Sequence, residues 1–387
     1  ITYDTTTNVG IVSYQDSGNS SRGTCRVVSV SGTTITFGVA NNYNTGAAYW
    51  SSGHNIAHDT NENKFVVTYG DTGNSQYGTA VVGSISGTTI TYGTPVVYLS
   101  DAVWTTCITF DSNSNKMLIA YIDQNDGEAV KAIVGTVSGT GISYGSAVEI
   151  AAKGENFGID FDSATNKVVL SYLERTTSDK GEVSVGTVSG TSSTWTTPVE
   201  FWDSYYTGES MAYDANSGTS LVAYRDHAGL FYLKANVITT AGTNLTTSNF
   251  LGIADEAISA SASGTIVVQG GTKTSANTTL PETTSYGSAA VFESATTDYT
   301  SSTFDSNSNK VVVSYEDGGN SNYGTAVVGT VSGTAISYGT PVVFESATTK
   351  WTAATFDSDS NKVVIAYEDE GNSNYGIAIV GAVSGTS

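Results

Sequence analysis

This chain of 387 residues contains few charged residues, and most of those are acidic. Asp, Glu, Lys and Arg together make up 13% of the sequence, only 15 residues are Lys or Arg, and the formal net charge is -21. Nucleic-acid binding requires a cationic surface that replaces counterions, so the composition argues against that class of protein. Repulsion opposes binding to an anionic membrane in the same way, whereas neutral glycans and divalent cations are compatible with the charge.

Cysteine and long apolar runs are also scarce. The two cysteines, Cys25 and Cys107, fall in non-adjacent copies of a repeat, so we expect buried thiols rather than a disulfide. No apolar run reaches the roughly 18 residues of a transmembrane helix, and we identify no secretory signal peptide. We therefore expect no membrane insertion.

The dominant feature of the sequence is a repeat of about 50 residues. One aspartate opens each clear copy, at spacings of 55, 52, 51, 52, 91 and 52 residues: Asp4, Asp59, Asp111, Asp162, Asp214, Asp305 and Asp357. The interval of 91 residues leaves room for a degenerate sixth copy at about residues 255–300, where Thr265–Val268 keeps only a strand core. A repeat of this length indicates a solenoid, a propeller or an array, here with eight copies.

Each copy predicts four antiparallel strands, A to D, without helical periodicity. In the seventh copy the strands are expected at residues 300–304, 310–315, 323–331 and 335–344, separated by turns rich in Asn, Ser, Gly and Asp. Prolines recur early in strand D, which suits an edge strand because proline has no N–H to donate: Pro95, Pro198 and Pro341. We therefore predict an all-β fold, a single β-propeller domain over residues 1–387 with eight blades, and seven blades as the alternative.

The two ends of the sequence interrupt this pattern. The chain begins in strand A of the first copy and stops after strand C of the last. The missing strand D is expected either from further sequence or from a neighbouring molecule.

The repeat resembles that of a known group of proteins. The unit Phe-Asp-Ser-Asn-Ser-Asn-Lys-Val-Val-Val-Ser-Tyr-Glu-Asp, at residues 304–317 and nearly unchanged at 356–369, is similar to repeats in tail-fibre and other virion surface proteins of aquatic bacteriophages, and in bacterial cell-surface proteins. The resemblance covers nearly the whole chain and is weakest at about residues 228–285. It implies an attachment or structural role outside the cell or on a virion surface, without a known reaction.

The turn between strands A and B has acidic and amide residues at alternate positions, as calcium loops do. The candidate metal ligands are Asp59, Asp111, Asp305, Asp357 and Asp359. A lysine follows each turn and no bidentate acid closes it, so hairpin turns capped by Asp and Asn side chains are the alternative. The expected cofactor is none, with calcium as the other possibility.

The opposite face of the propeller is expected to carry the B–C and D–A loops. Aromatic residues in the D–A loops either stack on sugars or fill gaps between blades: Trp50, Trp104 and Trp351, with Phe157 and Tyr299 at similar positions. Between the fourth and fifth copies, the loops collect arginine, histidine, acidic and aromatic residues that we predict to form a ligand-binding pocket: Glu174, Arg175, Trp202, Asp203, Tyr205, Tyr206, Arg225, Asp226 and His227. Sequence drift without function is the alternative interpretation.

Three functions remain open from the sequence. The first is a non-enzymatic attachment protein that binds cell-surface glycan, extracellular or on a virion surface. The second is an architectural subunit that binds neighbouring subunits through a blade edge. The third is a glycan-active hydrolase, which needs two carboxylates about 5–9.5 Å apart; Glu174, Asp203 or Asp226 could supply them.

Overall fold

The computed structural model describes residues 1–32, 34–48, 55–176, 179–215, 218–227, 233–240, 253–254, 266–267 and 285–386. These residues form an all-β propeller of antiparallel sheets. In each blade, strand A is innermost, and strands B and C follow. In blades 1 to 6 the outer strand D consists of two short pieces that both pair with strand C.

The first three blades follow this order in sequence. Blade 1 contains β1 (Thr2–Asp4), β2 (Val9–Asp16), β3 (Arg22–Ser31), β4 (Thr34–Phe37) and β5 (Asn41–Asn42). Blade 2 contains β6 (Asn55–Asp59), β7 (Lys64–Asp71), β8 (Tyr77–Ser86), β9 (Thr89–Tyr92) and the start of β10 (Val96–Asp111). Blade 3 contains the rest of β10, β11 (Lys116–Asp123), β12 (Ala129–Ser138), β13 (Gly141–Tyr144) and β14 (Val148–Ala151).

The remaining strands continue the series. Blade 4 contains β15 (Gly154–Asp162), β16 (Lys167–Glu174), β17 (Lys180–Ser189), β18 (Ser192–Trp195) and β19 (Val199–Trp202). Blade 5 contains β20 (Tyr206–Asp214), β21 (Thr219–Asp226), β22 (Leu233–Thr239), β25 (Ser285–Tyr286) and β26 (Ala290–Glu293). Between β22 and β25, β23 (Ile253–Ala254) pairs with β24 (Ile266–Val267). Blade 6 contains β27 (Thr297–Asp305), β28 (Lys310–Asp317), β29 (Tyr323–Ser332), β30 (Ala335–Tyr338) and the start of β31 (Val342–Asp357); blade 7 contains the rest of β31, β32 (Lys362–Asp369) and β33 (Tyr375–Gly381).

The described residues thus contain seven blades, which differs from the predicted eight. The inner strands β20 and β27 are direct neighbours: the Ser210 and Ser302 hydroxyls lie 3.0 Å apart, and the Ser302 amide donates to Ser210 Oγ at 2.8 Å. This contact leaves no place for a blade between them. The interval of 91 residues arises because blade 5 has an insertion between strands C and D, and the residues described within it include the paired strands β23 and β24.

The order of strands within a blade follows from burial. Strand B is sandwiched within its own sheet and between neighbouring blades, so it has the most continuous apolar run; in β11 every residue after Lys116 is buried. Strand D is interrupted where the sequence places proline. A proline directly precedes the second piece in three blades: Pro95, Pro198 and Pro341. Because proline has no N–H, its place outside the paired strand means that no hydrogen bond between strands is lost.

In several blades, an aromatic ring from strand D packs against the next blade in the chain. In blade 2, Tyr98 lies over Gly78 of strand C, where a Cβ would meet its ring at 2.6 Å. The same ring lies 5.3 Å from Tyr121 of strand B in blade 3 and 6.1 Å from Tyr144. We call this side chain the wedge. The other wedges over a glycine are Tyr43 on Gly23, Phe201 on Gly181 and Phe344 on Gly324.

The aspartate that opens each repeat caps the A–B turn. Asp111 Oδ1 accepts from the amides of Asn113 and Ser114 at 2.9 and 3.0 Å, and its Oδ2 accepts from Ser114 Oγ at 2.7 Å. All seven aspartates are at most 5% exposed. Both carboxylate oxygens of Asp111, Asp305 and Asp357 are engaged in the turn itself, and Oδ1 of Asp59 accepts two turn amides, which supports the structural interpretation over calcium binding.

The turn of blade 7 offers a matched pair for testing this role. Asp357 is buried and accepts from the amides of Asp359 and Ser360, whereas Asp359 is exposed. Asp357→Ala should lower the free energy of unfolding by about 1–3 kcal/mol, because buried donors lose their acceptor. Urea denaturation of this variant, with Asp359→Ala as the control near the wild-type value, checks the expectation. A calcium-dependent increase in melting temperature that Asp357→Ala abolishes would instead favour a metal site.

Candidate functional site

The predicted loops of blades 4 and 5 meet on the face that carries the B–C and D–A connections. Four side chains form a continuous series across the two blades, which we call the arginine–aromatic row: Arg175, Tyr205, His227 and Arg225. The Arg175 guanidinium lies 5.4 Å from the centre of the Tyr205 ring, which in turn lies 5.0 Å from the His227 ring in an edge-on arrangement. The sequence analysis places these four residues in one predicted pocket, and in the structure they are neighbours.

Acidic residues hold both ends of the row. Arg175 pairs with Glu155 at 2.9 Å and with Asp179 at 2.8 Å. Arg225 pairs with Asp298 of blade 6 and donates to the carbonyl oxygen of Thr297 at 3.0 Å. Fixed guanidinium groups present donors in a set geometry, and these ion pairs balance the positive charge of the row.

The contact with Arg225 sets the protonation of His227. Nε2 of His227 lies 3.2 Å from Nε and 3.1 Å from Nη2 of Arg225, and a guanidinium can only donate. Nε2 must therefore accept, which requires a neutral imidazole with its proton on Nδ1. Burial, followed by the charge of Arg225, lowers the pKa of His227 in agreement with this assignment.

Several predicted pocket residues are committed to the protein interior. Tyr206 is fully buried, and its hydroxyl donates to Glu209 at 2.6 Å, so it contributes no ligand-contacting surface. The Lys234 ammonium lies 3.6 Å from the centre of the Trp202 ring and pairs with Asp226 at 2.7 Å. The ammonium thus covers part of the Trp202 indole, which the sequence analysis places in the predicted pocket.

The two remaining acids of the predicted pocket differ in exposure. Glu174 is buried and accepts from the amide of Thr176 at 2.5 Å, whereas Asp203 is exposed. The nine predicted residues are therefore neighbours in space, but only some of them form the surface.

A second aromatic feature adjoins the row. Trp351 is 56% exposed, and its ring centre lies 4.5 Å from that of Tyr299. Both residues have left-handed backbone, with φ of 53° and 52°. Tyr299 directly follows Asp298, the partner of Arg225, so the Tyr299–Trp351 pair continues the row into blades 6 and 7.

The left-handed backbone of this pair is sterically costly for bulky residues and requires support from its surroundings. The hydroxyl of Thr352 supplies part of that support by donating to the carbonyl oxygen of Tyr299. The equivalent positions in blades 4 and 5 are Asn156 and Gly208, which also have positive φ. Asparagine and glycine adopt this backbone conformation at a lower energetic cost than tyrosine or tryptophan does. Two aromatic rings thus stand where smaller residues would be easier to accommodate.

The other predicted rim tryptophans do not share this geometry. Trp104 is half-buried and stands one position earlier in its strand than Trp351, at the position of Asp298. Trp50 lies outside the described residues.

Sequence reasoning also missed Glu209 of β20, whose side chain reaches Ser171 of blade 4. Its carboxyl group accepts from the hydroxyls of Ser171 and Tyr206, and burial raises its pKa to about 8. Glu155 and Asp298, which hold the ends of the row, were also missed. Both occupy the second position of strand A, so alignment of the inner strands could have found them.

The other end of the propeller contains a cavity of about 440 Å³ between the inner strands. His58 and Asp160 line it, and His58 Nε2 lies 3.2 Å from a carboxylate oxygen of Asp4. Burial raises the pKa of Asp160 to about 6, and its carboxylate accepts the amide of Tyr213 at 2.7 Å. Asp160 therefore links blades 4 and 5, and we assign it a structural role.

Two further expectations concern metals and membranes. The described ranges contain no group of three or more His, Cys, Asp or Glu residues arranged to hold a metal ion. Within those same ranges no helix has the length and hydropathy needed to span a bilayer. Cys25 and Cys107 are buried free thiols, as predicted.

Comparison with known proteins identifies similarity in fold only. No family model and no curated protein matches the sequence. A lectin from Burkholderia pseudomallei has a TM-score of 0.56 at 10% identity, with 98% of this chain and 96% of the lectin covered. The periplasmic gluconolactonase of Pseudomonas aeruginosa has a TM-score of 0.57 at 8% identity, with 96% of each chain covered. The chain has a propeller-type fold.

The raised pKa of Glu209 predicts a pH dependence of stability. Between about pH 4.5 and 8 the folded protein holds a proton that the unfolded chain releases, so stability should fall as pH rises through this window. Glu209→Gln removes that dependence and should raise the melting temperature at pH 8 by about 2–5 °C, with the difference vanishing near pH 4.5. Thermal unfolding of wild type and variant across this range measures the effect.

The exposed Glu149 provides the matched control, since Glu149→Gln should leave the pH profile unchanged. If Glu209→Gln and wild type instead have parallel profiles from pH 4.5 to 8, Glu209 is ionised in the folded protein.

Proposed function

We propose that this protein is a non-enzymatic attachment protein, extracellular or on a virion surface, that binds glycan through one propeller face. The binding surface is the arginine–aromatic row together with the Tyr299–Trp351 pair. The observation that carries the proposal is the exposed Trp351, held against Tyr299 by strained backbone at the end of a row of fixed hydrogen-bond donors. Strain of this kind is kept where surrounding structure supports it, commonly at ligand sites.

The chemistry of the surface suits a sugar. An exposed aromatic face packs against the apolar face of a pyranose ring, while nearby arginine and carboxylate groups bond its hydroxyls. Ion pairs compensate both arginines of the row, and the whole chain has a net charge of -21. Neutral glycans are therefore favoured over polyanionic ones.

The similarity in fold to the Burkholderia pseudomallei lectin supports carbohydrate binding as a class of function. The similarity to a gluconolactonase supports an enzymatic alternative by fold alone. Against it, two of the three candidate carboxylates are engaged within the protein: Asp226 pairs with Lys234, and Glu174 accepts from Thr176. Both carboxylates thus already have partners within the protein, so we favour binding over hydrolysis.

A glycan array probed with the purified protein tests the proposal. Trp351→Ala should reduce the affinity for the preferred glycan by about tenfold, because stacking on the exposed ring is lost. Phe37→Ala is the matched control, since Phe37 is also exposed, at 39%, but lies on the outer strand of blade 1. Binding should be the same with calcium and with chelator.

Two results would contradict the proposal. Failure of the wild-type protein to bind any neutral or acidic glycan would favour the architectural subunit. Turnover of a glycan or a lactone by the wild type would favour the enzymatic alternative.

A further inference from the structure

The charged residues between blades 5 and 6 recur with reversed sign between blades 6 and 7. At the first junction, Arg225, the residue before the last of β21, pairs with Asp298 of β27. Glu316 holds the position of Arg225 in β28, and Lys350 holds the position of Asp298 in β31, since each lies opposite the residue before the last of strand B. By analogy, an ion pair between Lys350 and Glu316 is expected at the second junction.

That ion pair is not formed. Lys350 donates instead to Glu370, which lies in the B–C turn of blade 7. The side chains of Lys350 and Glu370 are 33% and 36% exposed, so this pair lies at the surface. An exposed ion pair between flexible side chains contributes little to stability. Lys350 is therefore held weakly in this position.

Glu316 consequently has no cation beside its buried oxygen. The residue is 7% exposed, and its Oε2 has no hydrogen-bond partner among the described residues. Burial raises the pKa of Glu316, and the charge of Lys350 opposes that shift. Taking a carboxylate out of water is costly unless a partner compensates for the lost hydration. The junction thus contains a buried acceptor whose expected partner is engaged elsewhere.

A third acid adjoins the same lysine. Glu368 lies opposite Lys350 in the ladder between β31 and β32. The pKa of Lys350 is raised, mainly by its hydrogen bond to Glu370 and to a smaller extent by the charge of Glu368. Three carboxyl groups therefore lie near one ammonium group, and their ionised forms give the junction a negative charge. Such a charge attracts a further cation.

The exposed aromatic pair lies directly beside these acids. Lys350 precedes Trp351, which is 56% exposed and whose ring centre lies 4.5 Å from that of Tyr299. The face of an indole ring attracts a cation and also packs against the apolar face of a sugar. An exposed carboxylate next to such a ring suits a ligand that has both a pyranose ring and a positive charge.

We propose that the glycan bound at the Tyr299–Trp351 pair carries free amino groups. The ammonium group of an amino sugar pairs with the exposed Glu370 while its ring packs on Trp351, and Lys350 turns inward to Glu316. This inference rests on the proposed function and specifies its ligand class as a basic glycan.

The exchange of partners leaves each cation with a carboxylate. Lys350 gains the contact with Glu316 that Asp298 makes with Arg225 at the neighbouring junction. Hydrogen bonds between ammonium and carboxylate groups are stronger than those between neutral groups. A neutral glycan binds the same ring by stacking alone, so it should bind more weakly.

A metal ion is a poorer occupant than an ammonium group. Within the described ranges no three acidic, histidine or cysteine side chains are arranged to hold a metal, and Glu316, Glu368 and Glu370 are no exception. An ammonium group has three N–H donors and can bind one carboxylate at a time, so it does not require converging ligands.

Two tetrasaccharides that differ in the acetylation of their amino groups test the proposal. One is a β-1,4-linked tetramer of glucosamine with free amines, and the other is the same tetramer with every amine N-acetylated. At low salt and at a pH where the free amines are protonated, isothermal titration calorimetry should show about tenfold tighter binding of the free-amine tetramer. Added salt should reduce this preference, because it screens exposed charges.

Variants of the acids assign the preference to this junction. Glu370→Gln should abolish it, because an amide does not attract an ammonium group. Glu316→Gln leaves Glu370 as the partner of Lys350, so competition should cause a partial loss of the preference. Glu62→Gln is the matched control, since Glu62 is also exposed but lies in an A–B turn on the opposite face, and the preference should persist. Thermal unfolding checks that each variant is folded.

Several results would overturn this inference. They are equal or tighter binding of the N-acetylated tetramer, no binding of either tetramer, and a full preference retained in Glu370→Gln. Equally tight binding of a tetralysine peptide would also overturn it, because the acids would then select positive charge without a sugar. If the N-acetylated tetramer binds as well and Trp351→Ala weakens it, the amine specificity is wrong and the proposed glycan binding stands. If no glycan of any kind binds, both fail.

Discussion

The packing of one aromatic ring against a bare glycine and a tyrosine of the next blade is the contact on which the ring of sheets depends. The ring belongs to strand D of one blade and packs on strand B of the next, as Tyr98 does on Tyr121. Side-chain burial of this size supplies much of the apolar contact between sheets that have no strand pairing to each other. In blades 1, 2, 4 and 6 glycine in strand C is the counterpart, since a Cβ there would lie within 2.8 Å of the ring, whereas blades 3 and 5 have Val130 and Leu233 at this position.

Much of the fold could be predicted from the sequence because the repeats are similar to one another and follow at nearly constant spacing. Strand order followed from the apolar run of strand B and from the prolines before the second half of strand D. The blade count could not be obtained in the same way. An insertion between β22 and β25 lengthens one repeat interval to nearly twice the usual value, and spacing alone does not distinguish this from a degenerate copy.

The candidate site was predicted in outline and not in detail. The concentration of arginine, histidine and aromatic residues located the row, because the whole chain has only four arginines and three histidines. Which side chains face solvent depended on partners in other blades: Asp298 for Arg225 and Lys234 for Trp202. The prominence of Trp351 depends on a left-handed backbone that local sequence does not reveal, since its neighbours read as an ordinary strand.

The two longest strands each join two neighbouring blades. β10 and β31 each have 16 residues, and each belongs to the outer edge of one sheet and the inner edge of the next. A force applied to either strand therefore acts on two blades at once, so these two junctions should resist separation. Among the described residues no strand pairing joins blade 7 to blade 1, where side chains of β1, β2 and β31 meet. The same is true between blades 1 and 2, 3 and 4, 4 and 5, and 5 and 6, so blades 2 and 3 and blades 6 and 7 are the pairs expected to separate last.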